Sequence, residues 1–367
     1  MDFINTIDQY RKLINQELKV YFDKKRKELP VFGNSFVEKQ VDLLEKYCLR
    51  NGKRLRPILT LIVYEAVGGK NKKDILFPSL AFEIYHNYTL IHDDIYDEDK
   101  LRRGELANHI LLQGWFEKNY KMDILNSDLY KNSVVRFGVI AGFINGKYLE
   151  TLSGFPILES DISNEKKVLG LGLLRDVSIY DNTGQAIDLV FELEDVQKVK
   201  EEDYYNMALC KTGRLFRSAI EWGAILGDAN EEQIKALRKY ADEVSLVFQI
   251  KDDLLDIASG GDKSRGLGSD IKKGKKTLLM IHALKKSSPK EKNKILKIFG
   301  KVEAKDEDIE EIINLFYKLG SIEYCEKIAL EKAKQAISYL DNMNPKLKDK
   351  QRIFLEELAF FMLKRNK

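Results

Sequence analysis

The sequence predicts an all-α fold, arranged as a single large helical bundle. Apolar residues recur at helical spacing along most of the chain, no segment shows the period-two alternation of a half-buried strand, and the 367 residues include only six prolines. Hydrophobic residues make up 44% of the chain and charged residues 32%, which is typical of a globular protein with a large core. We therefore expect one domain over residues 1–367.

The predicted helices follow apolar residues spaced three or four positions apart. Pro57 is placed to open one of them, because proline is favoured in the first helical turn. Between Glu105 and Asn132 the pattern is less regular, and this segment is predicted to form an insertion or lid. The helices are predicted over Phe3–Lys27, Ser35–Asn51, Pro57–Val67, Ser79–Asp94, Ser133–Ser153, Lys166–Val190, Glu202–Leu226, Glu231–Ile257, Thr277–Lys285, Pro289–Phe299, Asp306–Leu319, Ser321–Met343 and Lys348–Lys364.

Charge and cysteine content exclude several classes of protein. The net charge is only +3 and the lysines are spread widely, so no nucleic-acid surface is predicted. The three cysteines, Cys48, Cys210 and Cys325, are far apart and odd in number, which favours a reducing cytoplasm over a disulfide framework. No run of 18 apolar residues occurs and the charged N-terminus lacks a signal-peptide pattern, so neither a membrane span nor secretion is expected.

Two copies of the pattern Asp-Asp-x-x-Asp are the most informative feature of the chain. On a helix, the first and last aspartate of each copy project from one face, one turn apart. Each copy interrupts an apolar helical segment, where carboxylates are costly unless they have a function. Clustered carboxylates repel one another and need cations, and an all-oxygen ligand set favours magnesium. The predicted metal ligands are Asp93, Asp94 and Asp97 in the first motif and Asp252, Asp253 and Asp256 in the second.

Basic residues accompany these motifs in four places. Their number indicates two anion sites, one bridged by metal and one bound by cations alone. In the set that contains Lys211, Gly213 is expected to loosen a helical turn and to expose polar backbone to a cavity. The four sets are Lys53 with Arg56 in GKRLRP, Arg102 with Arg103 after the first motif, Lys211 with Thr212 in KTGR, and Arg265 with Lys275 around a glycine-rich loop.

The chain resembles the trans-isoprenyl diphosphate synthase (polyprenyl synthetase) family over most of its length. A single acidic motif would be weak evidence, whereas six ordered strings are specific. The matching strings are GKRLRP at 52–57, HNYTLIHDDIYDEDKLRRG at 86–104, GQAIDL at 184–189, KTG at 211–213, FQIKDDLLD at 248–256 and GSDIKKGKKTL at 268–278. Two departures stand out: Arg265 and Gly266 replace the usual Lys-Pro, and Asn145-Gly-Lys147 replaces a common Ala-Gly-Asp.

The resemblance implies a helical bundle with a central active-site cavity, a cytoplasmic homodimer, and roles for individual residues. The six aspartates would hold about three Mg²⁺ ions, for which Mn²⁺ could substitute, around an allylic diphosphate. Arg102, Lys211, Arg265 and Lys275 would contact that diphosphate, with Thr212 and Gln249 as polar neighbours and Gln185 and Asp188 behind them. Isopentenyl diphosphate would bind Lys53, Arg56, His86 and Arg103, while His92, His109 and His282 would be structural.

The length of the product would depend on a hydrophobic tunnel below the first motif. Tyr88 lies five residues before Asp93, about 7.5 Å along a helix, and Tyr85 and Phe82 continue its ridge. With small Thr89 beside them, this pattern is similar to that of archaeal geranylgeranyl diphosphate synthases. We expect a C20 product, with C15 farnesyl diphosphate as the alternative.

Two other classes of protein are open at this point. A class I terpene cyclase would share the fold and the acidic metal site, but it would not need the second cationic set at Lys53, Arg56, His86 and Arg103. A non-catalytic partner subunit would be expected to lack one acidic motif, and this chain has both.

Overall fold

The structure is a computed structural model that describes residues 3–30, 32–120, 130, 132–258 and 267–364. The chain divides into two compact units, the first formed by Met1–Leu61 and Asn71–Leu171 and the second by Ile62–Lys70 and Gly172–Lys367. Most of the described residues are helical and their strands form one short hairpin, which confirms the predicted all-α class. That all 367 residues form one domain stays a prediction.

The first unit is built around α4, the helix that carries the first acidic motif. Helix α4 packs on α6, and α5 contacts both of them, while α1 contacts both α2 and α4. Tyr21 of α1 is buried and donates a 2.6 Å hydrogen bond to the carbonyl oxygen of Leu152 at the end of α6. The elements are α1 (Phe3–Glu28), α2 (Ser35–Leu49), the first half of α3 (Leu55–Ala66), α4 (Lys72–Tyr96), β1 (Leu101–Arg102), β2 (Glu105–Leu106), α5 (Asn108–Asn119), α6 (Ser133–Leu152) and α7 (Phe155–Leu158).

The second unit surrounds α11, the helix that carries the second acidic motif. Helix α11 packs on α10, α16 and α17. Tyr240 of α11 is buried and donates to the carbonyl oxygen of Leu355 in α17, at 2.7 Å. The elements are α8 (Asn164–Leu193), α9 (Glu201–Ala208), a π-helical turn (Leu209–Gly213), α10 (Arg214–Leu226), α11 (Glu231–Asp256), α12 (Ser269–Lys273), α13 (Leu278–Lys286), α14 (Pro289–Ile298), α15 (Asp306–Lys318), α16 (Ser321–Asp341) and α17 (Asp349–Leu363).

Most predicted helix ends agree with the structure to within a few residues, but α4 begins at Lys72 rather than at Ser79. Pro78 lies inside α4, where it removes one backbone hydrogen-bond donor. The helix continues through it because Ile75 and Leu80, on either side, are buried and hold the chain in place. Helix α3 likewise begins two residues earlier than predicted, so that Pro57 lies in its first turn.

Part of the predicted insertion at 105–132 is helix α5, which the sequence analysis missed. His109, Leu112 and Phe116 are buried at helical spacing. The aromatic and aliphatic residues around them obscure this periodicity, because they also cover the other sides of the helix. Residues 121–129 and 131 lie outside the described part of the chain, and a lid over the first acidic motif stays a prediction.

The departure at Asn145-Gly-Lys147 places no charge in the core. The Lys147 side chain is 69% exposed and forms an ion pair with Glu150. Asn145 is buried instead, where it accepts a hydrogen bond from Gln40 and donates one to Asn108, both at 3.0 Å. This chain of amides links α2, α6 and α5 without a buried ion.

Candidate active site

The middle aspartate of the first motif points into the first unit. Asp94 is buried and accepts a 3.0 Å hydrogen bond from the hydroxyl of Tyr47 in α2. The guanidinium of Arg102 pairs with the same carboxylate and lies 3.7 Å from Asp93. Burial raises the pKa of Asp94 to about 6, although Arg102 and Tyr47 act in the opposite direction. Asp93 and Asp97 are half-buried and lie about one helical turn apart.

A two-residue hairpin holds Arg102 and Arg103. Strands β1 and β2 pair Arg102 with Glu105, and the two turn residues, Arg103 and Gly104, both have positive φ, at 57° and 78°. These angles are those of a type I′ turn, whose twist matches that of paired strands. The turn directs the Arg103 guanidinium to Gly52, where a Cβ atom would lie 2.9 Å from a guanidinium nitrogen. Gly52 therefore leaves the room that Arg103 occupies beside the GKRLRP string.

The predicted residues for isopentenyl diphosphate lie in this first unit. Lys53 is exposed and Arg56 is half-buried in the first turn of α3. His86 comes from α4, and its Nδ1 atom is buried without a hydrogen-bond partner. Burial, followed by the charges of Arg56 and Arg103, holds the pKa of His86 well below its usual range. A neutral imidazole among arginines is a favourable place for an anion to approach.

Aromatic rings line α4 below the first motif. Tyr85 and Tyr88 contact edge to face with centroids 5.0 Å apart, and Tyr88 meets His92 in the same way at 4.8 Å. His92 also packs on Phe143 of α6. Tyr85 and Tyr88 are buried, whereas Thr89 is half-buried and donates to the carbonyl oxygen of His86. Two members of the predicted ridge, Tyr88 and Tyr85, therefore contact each other, and His92 continues this row of rings toward Asp93.

The second acidic motif repeats the construction of the first. Its middle residue, Asp253, is buried and accepts a 2.7 Å hydrogen bond from the hydroxyl of Tyr204 in α9. Gln249 donates to the other carboxylate oxygen at 2.9 Å and accepts from Thr212 at 3.2 Å. Burial raises the pKa of Asp253 to about 7. Two predicted catalytic residues, Thr212 and Gln249, are thereby joined to the second motif.

Lys211 lies in a π-helical turn between α9 and α10. The turn runs over Leu209–Gly213, so the helix is widened where Gly213 was expected to loosen it. Gly184 of α8 lies directly against this turn. A Cβ atom there would lie 2.4 Å from the backbone nitrogen of Lys211, so only glycine permits this approach.

Asp188 brings two predicted phosphate-binding lysines together. Its Oδ2 atom accepts from Lys211 at 2.7 Å and from Lys275 at 3.0 Å, and Lys275 also contacts Glu192 at 2.8 Å. Burial alone would raise the pKa of Asp188, but the two ammonium groups hold it below its usual value. Both cations therefore stand near α8, within reach of a common anion.

The chain after α11 folds back on the last aspartate of the motif. The backbone N–H of Asp270 donates to Asp256 Oδ2 at 3.0 Å. Gly268 makes the turn possible with a φ of 64°, close against Ile309. Arg265, predicted to contact the diphosphate, lies outside the described residues.

The donor atoms around the two motifs suit a hard divalent cation. Each motif presents two half-buried outer carboxylates one helical turn apart, and oxygen ligands are those that Mg²⁺ prefers. Over the ranges described above, no three carboxylate, imidazole or thiol groups converge on one point. The outer pairs stay predicted ligands, of the kind whose coordination phosphate oxygens and water complete around Mg²⁺.

No pattern in the sequence indicates the tyrosines that hold the middle aspartates. Tyr47 and Tyr204 lie 47 and 49 residues from their partners, so no local spacing connects them. Glu83 was also missed, although a signal was present. It is a lone carboxylate in the otherwise apolar run before His86, and such residues are rarely buried without a partner.

The fold and the two aspartate-rich motifs define an all-α protein of the isoprenoid synthase class. The chain belongs to the polyprenyl synthetase family, whose model matches residues 38–316. The short chain isoprenyl diphosphate synthase of Methanocaldococcus jannaschii is 34% identical over 354 residues, covering 96% of this chain and 93% of that protein. The geranylgeranyl pyrophosphate synthase of Geoglobus acetivorans is 34% identical over 324 residues, covering 87% and 89%.

A solved structure agrees with this assignment. The geranylgeranyl pyrophosphate synthetase of Pyrococcus horikoshii superposes with a TM-score of 0.77 at 34% identity, covering 98% of this chain and 99% of that one. None of the helices described here is long and apolar enough to cross a lipid bilayer.

Proposed function

We propose that this chain is a Mg²⁺-dependent trans-prenyltransferase that joins isopentenyl diphosphate to an allylic diphosphate. The observation that carries the proposal is the grouping of Arg56 and Arg103 around His86, because these cations would suit a second diphosphate. A terpene cyclase has one diphosphate to bind and does not need these cations. Both acidic motifs are intact, which also speaks against a non-catalytic partner subunit.

The allylic diphosphate would bind between metal ligands and basic side chains. Asp93, Asp97, Asp252 and Asp256 would hold the metal ions, which when bound neutralise charge on the departing diphosphate. Arg102, Lys211, Lys275 and Arg265 would add hydrogen-bond donors to the same anion. Asp94 and Asp253 would orient the motifs, since their carboxylates are already occupied by Tyr47 and Tyr204.

Lys211 and Lys275 would neutralise negative charge on the departing diphosphate. Lys211 and Lys275 share Asp188 in this structure, so a diphosphate can accept hydrogen bonds from both without a large movement of either. When the bond between the diphosphate oxygen and C1 of the allylic substrate breaks, the electron pair leaves with the diphosphate and C1 becomes cationic.

The remaining steps need no side-chain base. Thr212 and Gln249 would present dipoles to the allylic cation, and the double bond of isopentenyl diphosphate would attack C1. The departing diphosphate would then accept the proton that the new product loses. Neutral His86, together with Lys53, Arg56 and Arg103, would hold isopentenyl diphosphate during this attack.

We propose geranylgeranyl diphosphate as the product, with farnesyl diphosphate as the alternative. The support is the buried aromatic ridge formed by Tyr88 and Tyr85, which would close the tunnel below the first motif. A tunnel floored by large rings admits a chain of limited length, because a longer chain would overlap them.

A homodimer is proposed from the exposed apolar stripe on α8. Val168, Ile179 and Val190 are 70%, 65% and 50% exposed and follow one another at eleven-residue spacing, which is three helical turns. Such a stripe is usually covered by a partner surface. Sedimentation of the native protein and of an Ile179→Lys variant tests this: a dimer is expected for the former, with weakened association in the latter. We also propose a cytoplasmic location, which the odd number and wide spacing of the cysteines support.

The function is tested by incubating the purified protein with labelled isopentenyl diphosphate, Mg²⁺ and each allylic primer from C5 to C15. Dephosphorylated products are sized by chromatography. An elongated C20 product is expected from the farnesyl primer. If no primer gives a labelled elongated product, the proposal is wrong.

A further inference from the structure

The GKRLRP string contains a third cation, Arg54, that faces the opposite way from its neighbours. The Arg54 side chain is 0% exposed and pairs with Glu83 of α4, whose side chain is 2% exposed, at 2.9 Å. The same guanidinium donates to Asn15 of α1 at 2.8 Å and to the carbonyl oxygen of Arg50 at 2.6 Å. Lys53 and Arg56, by contrast, are exposed and half-buried.

This ion pair is costly for the fold. Two fully buried charges lose their hydration, and their attraction does not in general exceed that loss. Arg54 also adopts a φ of 53°, in the left-handed region that a long side chain rarely occupies. Strain of this kind persists where the surrounding contacts hold a segment in one conformation for a function.

The pair ties together the segments that present the predicted isopentenyl diphosphate ligands. Arg54 lies between Lys53 and Arg56, so anchoring its side chain sets the direction of both. Glu83 lies one helical turn before His86 on α4, so the anchor also relates the loop to that imidazole. Gly52, two residues before Arg54, leaves the space that the Arg103 guanidinium occupies. A single buried contact thereby relates all four residues.

We propose that Arg54 and Glu83 are positioning residues for the isopentenyl diphosphate site, which they organise without touching the substrate. This inference rests on the proposed function and deepens it. Glu83 also compensates the charge of Arg54, so the anion meets only the outward-facing cations. Without that compensation, Arg54 would be a buried, unpaired charge free to leave its place and displace the loop.

The test is a Glu83→Gln variant, which retains the shape of the side chain and removes its charge. Steady-state kinetics are measured with each substrate varied, and direct binding of isopentenyl diphosphate is measured by calorimetry. The KM and Kd for isopentenyl diphosphate are expected to rise tenfold or more, while the KM for the allylic diphosphate changes less than twofold. An Arg54→Lys variant can still reach Glu83, so it is expected to lose less affinity for isopentenyl diphosphate than Arg54→Met.

A matched control is Glu221→Gln, which breaks a buried-to-exposed ion pair with Arg238 in the second unit. In this variant the KM values for isopentenyl diphosphate and for the allylic diphosphate should stay unchanged, even if the melting temperature falls. Should Glu83→Gln fail to fold, Asn15→Ala removes one contact of Arg54 and is expected to raise only the KM for isopentenyl diphosphate, by a smaller factor.

Unchanged isopentenyl diphosphate affinity in folded variants, or an equal rise in both KM values, overturns the positioning role. A native protein that forms no elongated product overturns the proposed function itself, so the two failures are distinguishable.

Discussion

The hydroxyl of Tyr204 donates a 2.7 Å hydrogen bond to Asp253, the buried middle residue of the second acidic motif. Tyr47 makes the equivalent 3.0 Å bond to Asp94 in the first motif. Two motifs far apart in sequence thus share one construction, in which a tyrosine from a preceding helix holds the central carboxylate. The outer aspartates of each motif are less buried than the middle one and lie one helical turn apart.

Tyr204→Phe is expected to weaken metal binding. The variant leaves the buried Asp253 carboxylate one donor short, which costs about 1–3 kcal/mol of stability, and it frees the motif to turn. The Mg²⁺ concentration for half-maximal activity should rise, and binding of Mn²⁺ followed by electron paramagnetic resonance should weaken in parallel. Tyr205→Phe, at the half-buried neighbouring position, is the control. Equal metal affinity in the two variants would contradict the prediction.

Gly184→Ala is expected to reduce activity strongly. The added methyl group would lie 2.4 Å from the backbone nitrogen and 2.7 Å from the Cα atom of Lys211, so α8 or the π-helical turn must move. Gly172→Ala on the same helix meets nothing within 4 Å and should retain activity, with a stability gain of up to about 1 kcal/mol. The turnover numbers and melting temperatures of the two variants are compared. Similar activity in both would contradict the prediction that the close approach of Gly184 to Lys211 is needed for activity.

Tyr88→Ala is expected to lengthen the product. Tyr88 is buried between Tyr85 and His92, and its removal opens space below the first motif. Tyr317→Ala, at an exposed position of α15, should leave product length unchanged. Chromatographic sizing of dephosphorylated products measures both. An unaltered product distribution in Tyr88→Ala would remove this ring from the tunnel floor.

His86 is expected to remain neutral well below pH 6.5. Its pKa is lowered in the folded state by burial and by neighbouring arginines, so the unfolded chain takes up a proton more readily. The folded state therefore loses stability as pH falls below about 6.5, the usual pKa of histidine. Between pH 7.5 and pH 5.5, the melting temperature of His86→Gln should fall by less than that of the native protein. The imidazole resonances of His86 can be followed by NMR as the pH is lowered. Titration near pH 6.5 would contradict the predicted neutral state.

Much of the fold could be predicted from local sequence patterns. Helices such as α1, α6 and α11 were predicted because their apolar residues recur at a period that only a helix satisfies. Helix α5 was missed because its buried residues are surrounded by other apolar ones. The π-helical turn was anticipated only as a loosened turn at Gly213, since its close contact with Gly184 depends on a helix far away in sequence.

The sequence by itself determined the fold class, the family and the residue types of the candidate site, because helical periodicity and ordered motifs are local properties of the chain. Tertiary structure decided which way the charged side chains face. Arg54 turns inward to Glu83 while Lys53 stays exposed, although the two are adjacent in one basic string. Spacing along a helix or loop relates neighbouring side chains to one another. Only the partners that packing brings from remote helices determine which of them is buried and which meets a ligand.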